Sequence, residues 1–135
     1  MFEKLFPKIG LLILRISVSI LMLIHGIPKI GMLLDGNAHL FPNPIGLGST
    51  LSLILVIGAE VICSAALIVG FKSRIFVLPL MFNLIIIVFV VHAGLALQQR
   101  ELPILYLIAY TTIAFTGSGE LSLDHFIEGK KKAKK

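Results

Sequence analysis

Apolar residues fill four stretches of the chain, roughly 9–27, 51–70, 75–97 and 102–116, and polar residues gather between them. A helix needs about 20 residues to cross a hydrocarbon core about 30 Å thick. Three stretches reach that length; the fourth must borrow residues near Glu101 and Gly117, or sit where the bilayer thins. Open strands would leave backbone groups unsatisfied in lipid, so the pattern predicts helices. Pro103 suits a first turn, and Gly117 with Gly119 an end, which frames the fourth helix. The expected fold is all-α: a transmembrane four-helix bundle in a single integral membrane domain over 1–135, with 117–135 as a cytoplasmic tail.

The link at 28–50 is long for a compact bundle. It opens apolar, turns at Asp35-Gly36-Asn37 and carries Phe41, Pro42 and Pro44, as expected of a partly ordered cap over the outer end. Ser49 or Thr50 would then cap the second helix. Beyond the fourth stretch, Leu121, Leu123, Phe126 and Ile127 stand among acids, as in a segment lying at the inner interface. Lys4, Lys8, Lys72, Arg74 and five lysines between 130 and 135 fall on one side of the spans, Lys29 and Arg100 on the other. Both chain ends are therefore expected inside, and the bias argues against a dual-topology transporter. Arg15 interrupts the first apolar run and no small-x-small site follows it, so it reads as a retained span rather than a signal peptide.

Hydrophobic residues make up 57% of the chain and charged ones 14%, against about 25% charged in a soluble domain. Polar groups are too few to cover a globule in water, and lipid requires none. Disorder is excluded on the same ground. The single cysteine, Cys63, rules out an internal disulfide, a CxxC redox pair and a four-cysteine zinc site. The net charge of +5 is concentrated in the terminal lysines, which mark a topology signal able to hold anionic lipid, not a face for nucleic acid.

Arg15, Glu60, Asn83 and His92 lie inside the stretches, while His25, Lys29 and Glu101 lie at outer ends. Charge inside a membrane is costly, about 2.5–3.5 kcal/mol on insertion scales, so each group needs a partner or a water-filled cavity. By depth, Arg15 can reach Glu60, and the two are expected to form a buried ion pair that fixes helix register. Glu60 alone would instead serve as a proton carrier. His25 and Lys29 share a helix face at a spacing of four, and His92, Glu101 and Glu60 fall in the same outer half. Such a set can hydrogen-bond a carbonyl or an anion and pass protons; it can equally be a satisfied interhelical network. Haem between His25 and His92, or a metal on His25, His92 and Glu60, is open to the same residues, but no attachment motif occurs, and neither metal nor haem is expected. Asn83 is half a turn out of phase with His92, which assigns it to another contact. Tyr106 and Tyr110 share a face suited to packing or to a ring beside a bound head group, and Cys63 sits among small residues of close helix packing.

Taken in order, Arg15, His25-Gly26 with Lys29, Gly58-Ala59-Glu60 to Gly70 closed by Arg74, His92, Glu101 and Thr116-Gly117-Ser118-Gly119-Glu120-Leu121-Ser122-Leu123-Asp124 form a pattern. It resembles the DoxX family of small four-span membrane proteins, from about 12 to 124. Ser118 stands where proline is frequent in the family and Leu121 where an aromatic is frequent. The resemblance implies a multi-pass α-helical protein of a bacterial or archaeal inner membrane. Some relatives are small membrane subunits of thiosulfate:quinone oxidoreductases; others are membrane partners of a superoxide dismutase and a sulfurtransferase in oxidative-stress defence. Family membership fixes fold better than function.

The leading expectation is thus a quinone-interacting membrane subunit, or a partner of soluble redox enzymes, in sulfur (thiosulfate) oxidation or oxidative-stress chemistry. His25 and His92, with Glu60, are the expected catalytic groups; His25, Lys29, His92 and Glu101 are expected to bind the quinone, and Arg15 with Glu60 to support the site from below. The expected opening lies in the outer half between the first three helices, under the first link. A non-catalytic scaffold docking soluble enzymes and a small proton-coupled transporter, either of them able to self-associate, are the alternatives.

Overall fold

A computed structural model describes residues 1–134, and they are mostly helical, with no strand among them. Four long helices, α1 (Phe2–Leu34), α2 (Ser49–Val69), α3 (Ser73–Val91) and α4 (Leu97–Thr116), are followed by a short α5 (Leu123–Ala133), and one 3-10 turn (Ala38–Leu40) lies in the α1–α2 link. α1, α2 and α3 are long and apolar enough to cross a membrane. α4 opens on Gln98, Gln99, Arg100 and Glu101 and packs along α3, while α1 packs along α2. The shared core takes Val18 and Met22 from α1, Leu67 from α2, Val77, Leu80 and Leu84 from α3, and Tyr110 and Ile113 from α4. The opposite faces expose Ile13, Ile24, Ile62, Phe82, Phe89 and Ile108, an outside suited to lipid.

The helix ends differ from the apolar pattern for local reasons. The pattern ends the first helix at 27, before Pro28, but the helix runs through that proline to Leu34 and stops at Asp35 and a left-handed Gly36. α3 stops at Val91 rather than 97, because His92 leaves helical geometry and Gly94 turns left-handed. α4 consequently begins at Leu97, five residues before the predicted start, and contains Glu101 and Pro103. The N-cap of α2 is Gly48, with no side-chain cap from Ser49 or Thr50; the Gly48 amide donates to Asn43 Oδ1 at 2.9 Å. Two helices also carry a wide π turn, Gly58–Cys63 in α2 and Ile87–Val91 in α3.

At the end of the body where the chain begins, α5 is tied to the α2–α3 turn. The Asp124 amide donates to the Gly70 carbonyl at 3.1 Å, and the Lys72 amide donates to Asp124 Oδ1 at 3.0 Å. Ser118 Oγ donates its one proton to the other carboxylate oxygen and accepts from the Ser73 hydroxyl. Burial pulls the Asp124 carboxyl upward, but the Lys72 amide, the Ser118 hydroxyl, the Ser73 amide and the Lys72 charge together hold it below the usual aspartate range. A carboxyl held low in the folded state contributes stability above its unfolded value, about pH 4, and loses it as pH falls through the folded value. We expect α5 to stay docked at neutral pH and to come away in acid. The readout is lost amide protection over Leu123–Ala133 below about pH 4, with α2 and α3 still protected; Asp124→Asn should abolish that pH dependence.

Candidate functional site

Arg15 and Glu60 are both 2% exposed, and each has partners other than the one depth alone assigns. Arg15 Nη2 donates to the Leu121 carbonyl at 2.9 Å, and Nη1 donates to the Ser118 carbonyl. Glu60 Oε2 is paired with Lys29 Nζ, and Oε1 accepts from Asn83 Nδ2 at 3.2 Å. The expected Arg15–Glu60 pair is therefore corrected to Lys29–Glu60. The cause is the continuation of α1 past Pro28, which puts Lys29 on the helix instead of in the link. Gly26 makes the approach close: a Cβ there would lie 2.9 Å from both Glu60 Cβ and Val61 Cγ2. The guanidinium of Arg15 points the other way, into the turn between α4 and α5.

Beside the Lys29–Glu60–Asn83 cluster lies a cavity of about 410 Å³, within the range of small-molecule sites. α2 contributes Ser52, Leu55, Val56, Ala59 and Glu60; α3 contributes Pro79, Phe82, Asn83, Ile86 and Ile87, with His92 just past its end. Phe41, Pro42, Pro44, Ile45 and Leu47 of the α1–α2 link complete the wall. Leu55 and Phe82 line the cavity and are also exposed on the outside of the body, so it opens sideways between α2 and α3. The walls are apolar and the polar groups few. Ser52 Oγ and His92 Nδ1 are buried without a partner among the described residues. Such orphans in a native fold call for a partner from outside the chain, a water or a ligand.

Both π turns border this cavity. His92 stands nine positions after Asn83, about 180° of rotation in a regular helix, but the extra residue of the Ile87–Val91 turn reduces this to about 80°. Asn83 and His92 therefore line one cavity, where regular spacing separates them. Glu60 sits within the π turn of α2.

The remaining expected site residues fall elsewhere. His25 is exposed, bonds the Leu21 carbonyl through Nδ1 at 2.9 Å, and sets its ring edge-on to Tyr106 with centroids 5.7 Å apart. It does not line the cavity that His92 and Glu60 line. Glu101 is exposed on α4 and does not line it either. Asn83, Ser52 and Gly26 are the additions that sequence reasoning missed, while the link, expected as a cap, supplies part of the wall. Gly26 next to a charged face was the one readable signal, since small residues mark close helix contacts.

Neither a search of curated proteins nor one of solved structures yields a match to this chain. A family model for DoxX matches residues 10–93, more than half of the chain and the part that builds the cavity. With its several long apolar helices, the chain belongs to the DoxX family of membrane proteins.

Proposed function

We propose that the cavity between α2 and α3 binds the head group of a lipid-soluble quinone, and that the protein serves as a membrane subunit or partner in sulfur (thiosulfate) or oxidative-stress redox chemistry. The observation that carries this reading is a charged and amide cluster, Lys29–Glu60–Asn83, set into an otherwise apolar cavity that opens toward lipid. The residues fit such a group. Phe82 offers a flat apolar wall with Ile86 and Val56 beside it, while the second Asn83 amide proton, the Lys29 ammonium and the His92 ring offer donors to a carbonyl. A bound quinone supplies chemistry that takes up or releases both electrons and protons. Glu60 holds or gives up a proton at Oε1 or Oε2, with Asn83 and Lys29 orienting the carboxyl. The link over the top excludes water and strengthens these contacts. With one cysteine and no iron–sulfur or flavin motif in the sequence, electrons come from a soluble redox partner. In this reading all four long helices cross an inner membrane of a bacterium or archaeon, with the lysine-rich end cytoplasmic by the positive-inside rule.

The test is saturable binding of a short-chain quinone analogue by the full chain in nanodiscs. Leu55→Trp, which fills the cavity, and His92→Phe are each expected to weaken binding by about tenfold, roughly 1.4 kcal/mol. His25→Phe is expected to leave it unchanged. Binding that ignores Leu55→Trp but falls with His25→Phe contradicts the assignment.

A further inference from the structure

Four of the buried polar side chains of the helical body, Glu60, Ser64, Ser19 and Arg15, follow one another in a line from α2 to α1. Glu60 and Ser64 lie a turn apart on α2, and Ser19 and Arg15 a turn apart on α1. Tyr110 of α4 joins them: its hydroxyl donates to the Val18 carbonyl at 3.3 Å and lies beside the Ser19 and Ser64 hydroxyls. Ser19, Ser64 and Tyr110 are all 0% exposed. Three atoms on the line, Ser64 Oγ, Ser19 Oγ and Arg15 Nε, have no hydrogen-bond partner among the described residues. Roughly nine in ten buried polar groups are partnered, and these three exceptions follow one another along the line. Water bridging them satisfies all three, as buried water does in polar interiors. Both ends of the line reach open space. Glu60 lines the cavity of about 410 Å³, and Ser118, which accepts from Arg15, lines a groove of about 380 Å³ together with Asp124.

We propose that Ser64, Tyr110 and Ser19 hold a file of water that carries protons between Glu60 and the groove at Asp124, gated by the Lys29–Glu60 ion pair. A hydroxyl both donates and accepts, so Ser64 and Ser19 each take one proton and release another, and Tyr110 does so by turning its hydroxyl away from the Val18 carbonyl. One proton leaves the Glu60 carboxyl and one emerges at the groove; no electron moves. While Lys29 Nζ sits on Glu60 Oε2, that oxygen is closed to the file; drawing Lys29 away opens it. Arg15 keeps conduction slow, since a fixed cation raises the barrier to protons; the two carbonyls it bonds and the Asp124 charge limit that barrier. The proposal shares with the quinone reading only the exchange of protons at Glu60, and its tests contain no quinone, so either can fail alone.

The first test is radiolytic hydroxyl-radical footprinting of the unaltered full chain in nanodiscs. After correction for intrinsic reactivity, Tyr110 should be oxidised while the equally buried Ile113 and Leu67 stay unmodified. A Tyr110 as inert as Ile113 overturns the water file. The second is proton flux into vesicles containing the protein and a pH dye, driven by a potassium–valinomycin potential. The unaltered protein should lie close to protein-free vesicles, Lys29→Met or Lys29→Gln should raise the flux severalfold, and adding Tyr110→Phe with Ser19→Ala should cancel the rise. No rise in a folded Lys29 variant, or a rise that survives the Tyr110 and Ser19 changes, overturns the gated path. Should neither Lys29 variant fold, the footprint still decides whether the file exists, and without the file there is no path.

Discussion

Gly70→Ala should destabilise the protein by about 3 kcal/mol, adding a left-handed backbone cost of about 1–2 to an overpacking cost of about 1–3. Gly70 ends α2 at φ +75, where a side chain is strained whatever the surrounding space. The space is also taken: a Cβ would lie 2.5 Å from Ser122 Cβ and 3.0 Å from Arg15 Cζ. Three elements meet at this point, the α2–α3 turn, the Arg15 side chain and the N-cap of α5, and none can retreat without losing hydrogen bonds to the others. Thermal unfolding in detergent measures the loss, and α5 should lose amide protection first. Gly10→Ala is the control, because Gly10 lies within α1 with nothing near its added Cβ, and alanine is the better helix former by up to about 1 kcal/mol. Equal melting of the Gly70 and Gly10 variants would mean that Arg15 and α5 are not packed on Gly70.

Lys29→Met should cost about 3 kcal/mol, the low end for breaking a buried ion pair, since Lys29 is a quarter exposed and Glu60 is not. Glu60→Gln should cost less, because Lys29 can swing its ammonium toward the water at the helix end. The double variant should recover most of the Lys29→Met loss, giving a coupling energy of about 2 kcal/mol, within the range for contacting groups. Additive single effects would break the pairing. Arg15→Met belongs in the same experiment: it should show no coupling to Glu60, in contrast to a register-fixing Arg15–Glu60 pair.

The helical class and the apolar exterior were legible from composition and run length. Partner choice was not, for reasons that trace to particular residues. Pro28 reads as a helix stop, yet a proline removes only one amide donor, and an apolar α1 can carry it through to Leu34. Once α1 continues, Lys29 rather than Arg15 lies over Glu60. Asn83 was hidden by the π turn, whose extra residue leaves no mark in a run of Ile and Val. The place of Arg15 depended on backbone carbonyls of Ser118 and Leu121, more than a hundred positions away in the chain and silent in any pattern of side chains. Glu101 and His25 had the right residue types at the right depth but stand on faces turned away from the cavity, and depth says nothing about azimuth.

Photolabelling with an azido-quinone, followed by peptide mapping, tests the central reading most directly. In the full chain in nanodiscs, label should appear on the α3 segment 82–92 and on the link segment 41–47, and excess unlabelled quinone should compete it away. Label confined to the His25 and Tyr106 face, or spread over the lipid-facing residues without competition, would contradict a quinone site between α2 and α3.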